Sequence, residues 1–513
     1  MLWFSSVLCL PSSVVELEDS SMITFPSDLN LGPIAPALAV VATGILVMLA
    51  DLFLFKADER HNTVWIALGG LIGAFLLTLA YWGQVSGGPV TALGGLAILD
   101  RFALFLDLTL ILVTAIVMLL SAEYLVEQNI EHAEFYTLIL FAAAGMMLMG
   151  ASADLMTLWV SFETFSIALY VLAAYARPNV ESEEAGLKYF FLGAFSASFF
   201  LYGIALTYGA TGTTKLTAIA QYIQANAATI SANNMLYVGL GLILVGLGFK
   251  VALVPFHQWT PDVYEGAPTA VTAFMATATK AAGFAALLRV LFLAFPQLSG
   301  AWTAILALLA VLTMIGGNVI ALAQRNIKRM LAYSSIAHAG YILIAIVAGG
   351  AQAVSAAMFY ILVYALMTLG AFAVVIALNR GGAEVINFED YAGLVQRRPG
   401  LTHALAVFMF ALTGFPPLAG FVGKWYIFDL AVRNGWAWLA VVGTLASVVS
   451  AGYYLYLVVL MYMRPVPDNA PPLGGSQGPA GLAVALTLIG TVLLGIFASP
   501  VFNLAQSALL AAR

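Results

Sequence analysis

The chain is 513 residues long, 62% hydrophobic and 9% charged, with a net charge of −6. Soluble domains carry about 25% charged residues, so this chain has too few to cover itself in water, and it is too apolar to stay disordered. At about 20 residues per membrane span, it reads as an all-α polytopic membrane protein, with no length left for a soluble nucleotide-binding or catalytic domain.

One cysteine, Cys9, holds no iron–sulfur cluster and closes no internal disulfide. His61, His132, His257, His338 and His403 fall in separate segments, without a pair that suggests haem ligation. No metal or cofactor is therefore expected in this chain, which carries no electrons itself.

Residues 1–32 read as an irregular segment. The stretch 2–10 is apolar but short and lacks the basic flank of a secretory signal, and Met22 is an alternative start. A membrane domain over 33–499 follows, with 500–513 as a tail. Apolar runs give about fourteen spans, near 33–55, 63–83, 99–121, 135–152, 154–176, 184–209, 233–266, 268–295, 301–323, 328–348, 352–378, 401–432, 436–462 and 479–499. The mildly amphipathic stretch 215–228 belongs at a surface. The acidic stretch 123–134 reads as a solvated loop, and Pro/Gly-rich 464–478 as a linker.

Numbering the loops alternately segregates the basic residues. One side collects Lys56, Arg60, Arg177, Arg325, Lys328, Arg329, Arg380, Arg397, Arg398 and Arg464, and the other Lys215, Arg433 and Arg513. The first side is expected to be cytoplasmic. An even span count then puts both termini outside, in a bacterial inner membrane.

Ionisable groups at membrane depth cost about 2.5–3.5 kcal/mol or more and mark ion or proton paths. Glu163 lies nine residues after Asp154, about 14 Å along a helix. Its structural alternative is a carboxylate held by Ser161, Thr164 or Ser166. Lys250, Lys280 and Lys424 lie too far from helix ends to reach water. Burial favours a neutral amine and a nearby carboxylate restores the charge, so a Glu–Lys pair that opens and closes acts as a proton gate. The alternative for each lysine is a static ion pair. Lys188 follows Glu184 by four residues, which fits a surface pair as well as a relay. His257, Tyr333 and His338 are further relay candidates, each with a plain core reading beside it. Asp100 and Arg101 read as interfacial, and Arg289 as an anchor.

Pro255 interrupts the seventh span, and Pro416 and Pro417 the twelfth. Each break removes backbone donors that lipid cannot replace, and each lies near a lysine, Lys250 and Lys424. Interrupted helices in corresponding places point to inverted repeats, about 135–295 and 301–462. The string GFVGK at 420–424 is not a phosphate loop, because Trp425 follows the lysine.

The strings GFKVALVPFHQWTPDVYEGAPTAVTAFMATATK, RMLAYSSIAHAGY and GFPPLAGFVGKWY resemble the antiporter-like membrane subunits of respiratory complex I. The stretch GLKYFFLGAFSASFFLYGIALTYGATGTT is most similar to the subunit N branch, the bacterial counterpart of mitochondrial subunit 2. The resemblance covers nearly all of the chain from about residue 30. It implies a proton-translocating subunit of NADH:quinone oxidoreductase, with FMN, iron–sulfur clusters and quinone in partner subunits. It also implies a peripheral NADH-oxidising arm, related antiporter-like subunits and lipids as partners, and no nucleic acid.

Glu163 matches the family glutamate of the fifth span, Lys250 and Lys280 its lysines of the seventh and eighth, and Lys424 the lysine type of the twelfth. The eleventh span carries Tyr360 and Tyr364 in place of the histidine found in some related subunits, so no relay is extended there. Protons are expected to enter from the cytoplasmic side, load Lys250 and Lys280, and leave past Lys424. Moving a charge against 100 mV costs about 2.3 kcal/mol, and a two-unit swing of a lysine pKa supplies about 2.7 kcal/mol. The alternatives are a multisubunit cation/proton antiporter, which needs no NADH-oxidising partner, and an inert membrane scaffold.

Overall fold

A backbone in lipid must satisfy its own hydrogen bonds, so the apolar runs of this chain become helices. The structure is a computed structural model that describes residues 30–510 except 57–61, 86–87, 351, 383, 476–477 and 509. The readings placed on Cys9, Met22, Arg60, His61 and Arg513 lie outside the described residues.

The helices run α1 (Ala35–Phe53), α2 (Thr63–Gln84), α3 (Arg101–Glu127), α4 (Ala133–Ala151), α5 (Leu155–Ala173), α6 (Val180–Thr211), α7 (Leu216–Ala225), α8 (Asn234–Lys250), α9 (Trp259–Gly266) and α10 (Thr269–Ala294). They continue as α11 (Ser299–Ala321), α12 (Ile327–Ala348), α13 (Ala353–Leu378), α14 (Pro399–Thr413), α15 (Ala419–Arg433), α16 (Ala437–Met463), α17 (Pro479–Ile496) and α18 (Ser499–Ser507). A short hairpin, β1 (Val90–Ala92) with β2 (Ala97–Leu99), precedes α3. Among the described residues twelve helices are long and apolar enough to cross a membrane. The pairs α8/α9 and α14/α15 are two further apolar segments, each broken into half-helices.

Polar caps mark where spans begin. Asp100 accepts from Ala103 N at 2.8 Å at the start of α3. Asp154 accepts from Met156 N at 2.8 Å and from Thr214 Oγ1 at 2.6 Å at the start of α5. Each side chain satisfies a backbone donor that the helix leaves open. Asn179 and Asn326 cap α6 and α12 in the same way.

Close packing replaces the hydrophobic effect between helices in lipid. A side chain at Gly203 would meet the Gly239 carbonyl at 2.7 Å, so α6 and α8 touch backbone to backbone. Helices α10, α12 and α13 are buried nearly throughout, while α2, α6, α16 and α17 turn apolar side chains outward. The polar groups described next sit on and around these inner helices.

One sequence expectation changes. Helix α3 runs on through Glu127 and α4 starts at Ala133, so the acidic stretch 123–134 is mostly helix ends. The tail carries α18, whose Phe502 stacks on Tyr426 at 3.7 Å. In the linker, Arg398 Nη2 donates to the Leu473 carbonyl at 2.8 Å, and Arg397 and Arg398 also bond the Pro471 and Gly474 carbonyls. Helix α7 buries Leu216, Ile219 and Ile223 along one side, as an amphipathic surface helix does.

Candidate functional site: a buried lysine series

Lys250 is the last residue of α8, at the first break, and is 1% exposed. Its Nζ donates to Ser166 Oγ at 2.8 Å and Tyr189 Oη at 3.1 Å. Ser166 spends its own proton on the Phe162 carbonyl, so it is free to accept. The rings of Phe162, Phe165, Tyr170 and Tyr189 surround the ammonium at 4.6–5.9 Å, and their π faces stabilise a cation. The break is satisfied by protein: Trp259 Nε1 donates to the Phe249 carbonyl at 3.1 Å, and Val254 N to Thr313 Oγ1 at 3.0 Å.

Lys280 lies on α10, directly after the π-helical turn Met275–Thr279, and is 1% exposed. A widened turn of this kind frees backbone geometry and recurs at functional positions. The Lys280 ammonium bonds the Ser335 carbonyl of α12. Gly283, one turn further along α10, faces the Lys250 stem, since a side chain there would meet Lys250 Cγ at 3.9 Å. Lys250 therefore packs against α10, the helix that carries Lys280, one turn from it.

Lys424 sits in the first half of α15, 4% exposed. Its Nζ donates to the carbonyls of Leu412 and Thr413 at 3.1 and 2.8 Å and to Ser447 Oγ at 2.6 Å. Those carbonyls end α14, where the break at Pro416 and Pro417 leaves them without helical partners. A half-helix C-terminus carries partial negative charge and suits a cation. All three ammonium protons find acceptors, and the Tyr341 ring lies 4.7 Å below.

His338 of α12 stands between Lys280 and Lys424. Its Nδ1 lies 2.8 Å from Tyr360 Oη and its Nε2 3.3 Å from Tyr454 Oη. Tyr454 also bonds Ser334, next to the Ser335 that Lys280 holds. Tyr360 packs against Gly423, the residue before Lys424, where a side chain would meet Tyr360 Cδ2 at 2.6 Å, and the Tyr341 ring lies against both His338 and the Lys424 ammonium. Both Lys280 and Lys424 act electrostatically on His338. Lys250, Lys280, His338, Tyr360 and Lys424 thus form one succession of polar groups through the buried centre.

The remaining candidates fall less centrally. Glu163 is half-buried on α5, with Oε1 unpartnered. Ser161, Thr164 and Ser166 donate to backbone carbonyls and do not hold it. It makes no ion pair with Lys250, although each acts on the other electrostatically. Among the described residues none of the three lysines is in an ion pair, so the static pairs set against the relay reading do not form.

Lys188 is 40% exposed in its side chain and bonds both Glu184 and Asp262 at 2.7 Å. Asp262 also pairs with Arg329 at 2.8 Å, which ties α6, α9 and α12 together. His257 is half-buried in the first break, and Tyr333 is buried on α12. Arg289 is not a surface anchor, and Asp100, at the start of α3, is buried. They form a buried bidentate pair at 2.7 and 3.1 Å, because the β-hairpin and α10 close over the start of α3.

Sequence reasoning missed Tyr189, Ser335, Ser447 and Tyr454, and it named Tyr360 without extending the relay to it, where the structure sets its hydroxyl on His338. Tyrosine and serine are common in apolar helices, so no sequence signal separates these from the rest.

An α-helical membrane bundle with two broken helices and a buried lysine on each defines a class, the antiporter-like proton-handling membrane subunits. A family model described as "NADH:quinone oxidoreductase/Mrp antiporter, TM" matches residues 152–450. The NADH-quinone oxidoreductase subunit N of Trichlorobacter lovleyi is 44% identical over 481 residues, covering 94% of this chain and 97% of that sequence. That of Chloroflexus aggregans is 45% identical over 485 residues, covering 94% and 98%. The chain belongs to the NADH-quinone oxidoreductase subunit N family.

A chain in the structure of respiratory complex I from Thermus thermophilus with bound Aureothin superposes with a TM-score of 0.75 at 37% identity, covering 92% of this chain and 99% of that one. A chain of the Mrp complex from Dietzia sp. DQ12-45-1b superposes with a TM-score of 0.80 at 20% identity, covering 93% and 96%. The second likeness shows a shared fold alone.

Proposed function

We infer that the buried lysine series is the path by which this chain, a proton-translocating membrane subunit of NADH:quinone oxidoreductase, moves protons. The observation that carries the reading is the buried succession Lys250, Lys280, His338, Tyr360, Lys424, in which Lys280 bonds α12 at Ser335, His338 of the same helix meets Tyr360, and the Tyr341 ring lies beside both His338 and Lys424. Protons load Lys250 and Lys280 from the cytoplasmic side and leave past Lys424. Glu163 acts on Lys250 through its charge alone. Lys188, His257 and Tyr333 are at most accessory.

Electron transfer belongs to partner subunits, which hold the flavin, the iron–sulfur clusters and the quinone. The partners are the other membrane subunits, related antiporter-like chains among them, the peripheral NADH-oxidising arm, and lipids. The two broken segments support a fourteen-span membrane domain over 33–499 with inverted repeats near 135–295 and 301–462. Loops rich in Lys and Arg support a cytoplasmic face there and periplasmic termini in a bacterial inner membrane.

The test is Lys280→Ala in inside-out vesicles. Proton pumping is expected to fall while the complex still assembles. Undiminished pumping in an assembled complex removes Lys280 from the path.

A further inference from the structure

Helices α3 and α10 are antiparallel and pinned at both ends. Near one end, Thr269 N donates to Tyr124 Oη at 3.0 Å. Near the other, Arg289 grips Asp100 through two nitrogens. Between the pins, α3 carries Asp107, which is 4% exposed and has a buried Oδ1 that accepts no hydrogen bond. Asp107 lies about 10 Å inward of Asp100, and Lys280 about 13 Å inward of Arg289, at 1.5 Å per helical residue. Arg289 and Asp100 share a level, so Asp107 stands within about one turn of the depth of Lys280, on its outward side.

Arg289 and Asp100 are the charged groups that act on Asp107. One guanidinium balances one carboxylate. With Arg289 committed to Asp100, a second buried carboxyl is electrically balanced when it carries a proton. If the guanidinium turns towards Asp107, the balance passes to it and that proton is free to leave. A carboxyl in a membrane interior without a fixed partner is a functional group by default, and this one lies outside both repeats.

We propose that Asp107 is a proton-accepting residue of the translocation path, taking a proton from Lys280 and releasing it towards the Asp100–Arg289 end of the bundle. In the step, an N–H bond of the Lys280 ammonium breaks and an O–H bond forms on Asp107, through water, leaving a neutral amine and a carboxylic acid. The acid then gives the proton to water on the outward side. This rests on the lysine path proposed above, and gives it an exit on the first repeat that is separate from Lys424.

The experiment uses the intact complex in inside-out vesicles, comparing D107N, D107E and K280A. Loss of a positioned acid–base group slows proton transfer by about 100-fold or more, so D107N is expected to lose most of its pumping, and D107E to keep it. Asparagine preserves shape and polarity, so a merely structural role leaves D107N pumping normally, which overturns the inference. Normal pumping in K280A overturns the lysine path and this exit with it, whereas loss in K280A beside normal pumping in D107N overturns the exit alone. Should D107N fail to assemble, infrared difference spectra on NADH addition compare the native complex with D107E. A protonated-carboxyl band that shifts in D107E supports the assignment, and its absence from both overturns it.

Discussion

His338 Nδ1 and Tyr360 Oη lie 2.8 Å apart in the buried centre of the bundle, and together they bridge the space between Lys280 and Lys424. The histidine comes from α12 and the tyrosine from α13. The pair can pass a proton only if both ends keep an exchangeable hydrogen, and phenol and imidazole each do. Replacing Tyr360 with Phe keeps the ring, which also packs against Gly423, and removes only the hydroxyl. Y360F is expected to assemble normally and to lower pumping several-fold, with NADH oxidation in uncoupled vesicles little changed. Simultaneous measurement of proton uptake and NADH consumption checks this.

Lys424 satisfies two carbonyls at the end of α14 as well as serving the path. Lys424→Met leaves the Leu412 carbonyl buried and unpaired, which costs about 1–3 kcal/mol, while the Thr413 carbonyl keeps its bond from Ser447 Oγ at 2.9 Å. Lower yield of assembled complex is therefore expected, on top of lost pumping. Lys424→Arg keeps the donors, so assembly is expected to recover while pumping does not, because arginine holds its proton. Blue-native gels and vesicle pumping separate the two effects.

The Arg289–Asp100 pair is fully buried. Removing one partner strands a charge, at about 3–5 kcal/mol. Arg289→Leu is thus expected to abolish assembly. The double variant Arg289→Leu, Asp100→Asn strands no charge and is expected to regain part of the assembled complex. A thermal-shift series on the purified complexes measures the recovery.

Glu384, in the loop after α13, accepts from Tyr124 Oη at 2.7 Å, Thr269 Oγ1 at 2.6 Å and Lys328 Nζ at 3.2 Å. Its side chain is 20% exposed. Burial alone raises its pKa, but the charge of Lys328 and these hydrogen bonds outweigh burial and hold it below the ordinary 4.5. A carboxyl held lower in the folded state adds stability above its unfolded value and loses it as pH falls through the folded value. Native stability is therefore expected to decline below about pH 4.5. Glu384→Gln is expected to be less stable at neutral pH and to lose less on acidification. Melting temperatures of both complexes across that range test the sign.

The amino-acid order by itself determined that this chain lives in a membrane, where several of its helices begin, and which ionisable residues sit inside apolar segments. Spans follow from the length of apolar runs, and Asp154 marks the start of α5 because a carboxylate there caps open N–H groups. Lys250, Lys280 and Lys424 stood out because charge inside lipid is expensive, and the breaks at Pro255, Pro416 and Pro417 because proline removes a donor. These are local properties, legible within one helix.

Partnership was decided by the tertiary structure alone. Arg289 meets Asp100 across 189 residues, and His338 meets Tyr454 across 116. Lys250 was expected beside Glu163 and instead rests among aromatic rings and two hydroxyls. Such contacts depend on how helices rotate and cross, and helices that are apolar all round carry no stripe that sets their rotation. Only close packing in the assembled bundle chooses which hydroxyl, carbonyl or carboxyl a buried charge will face.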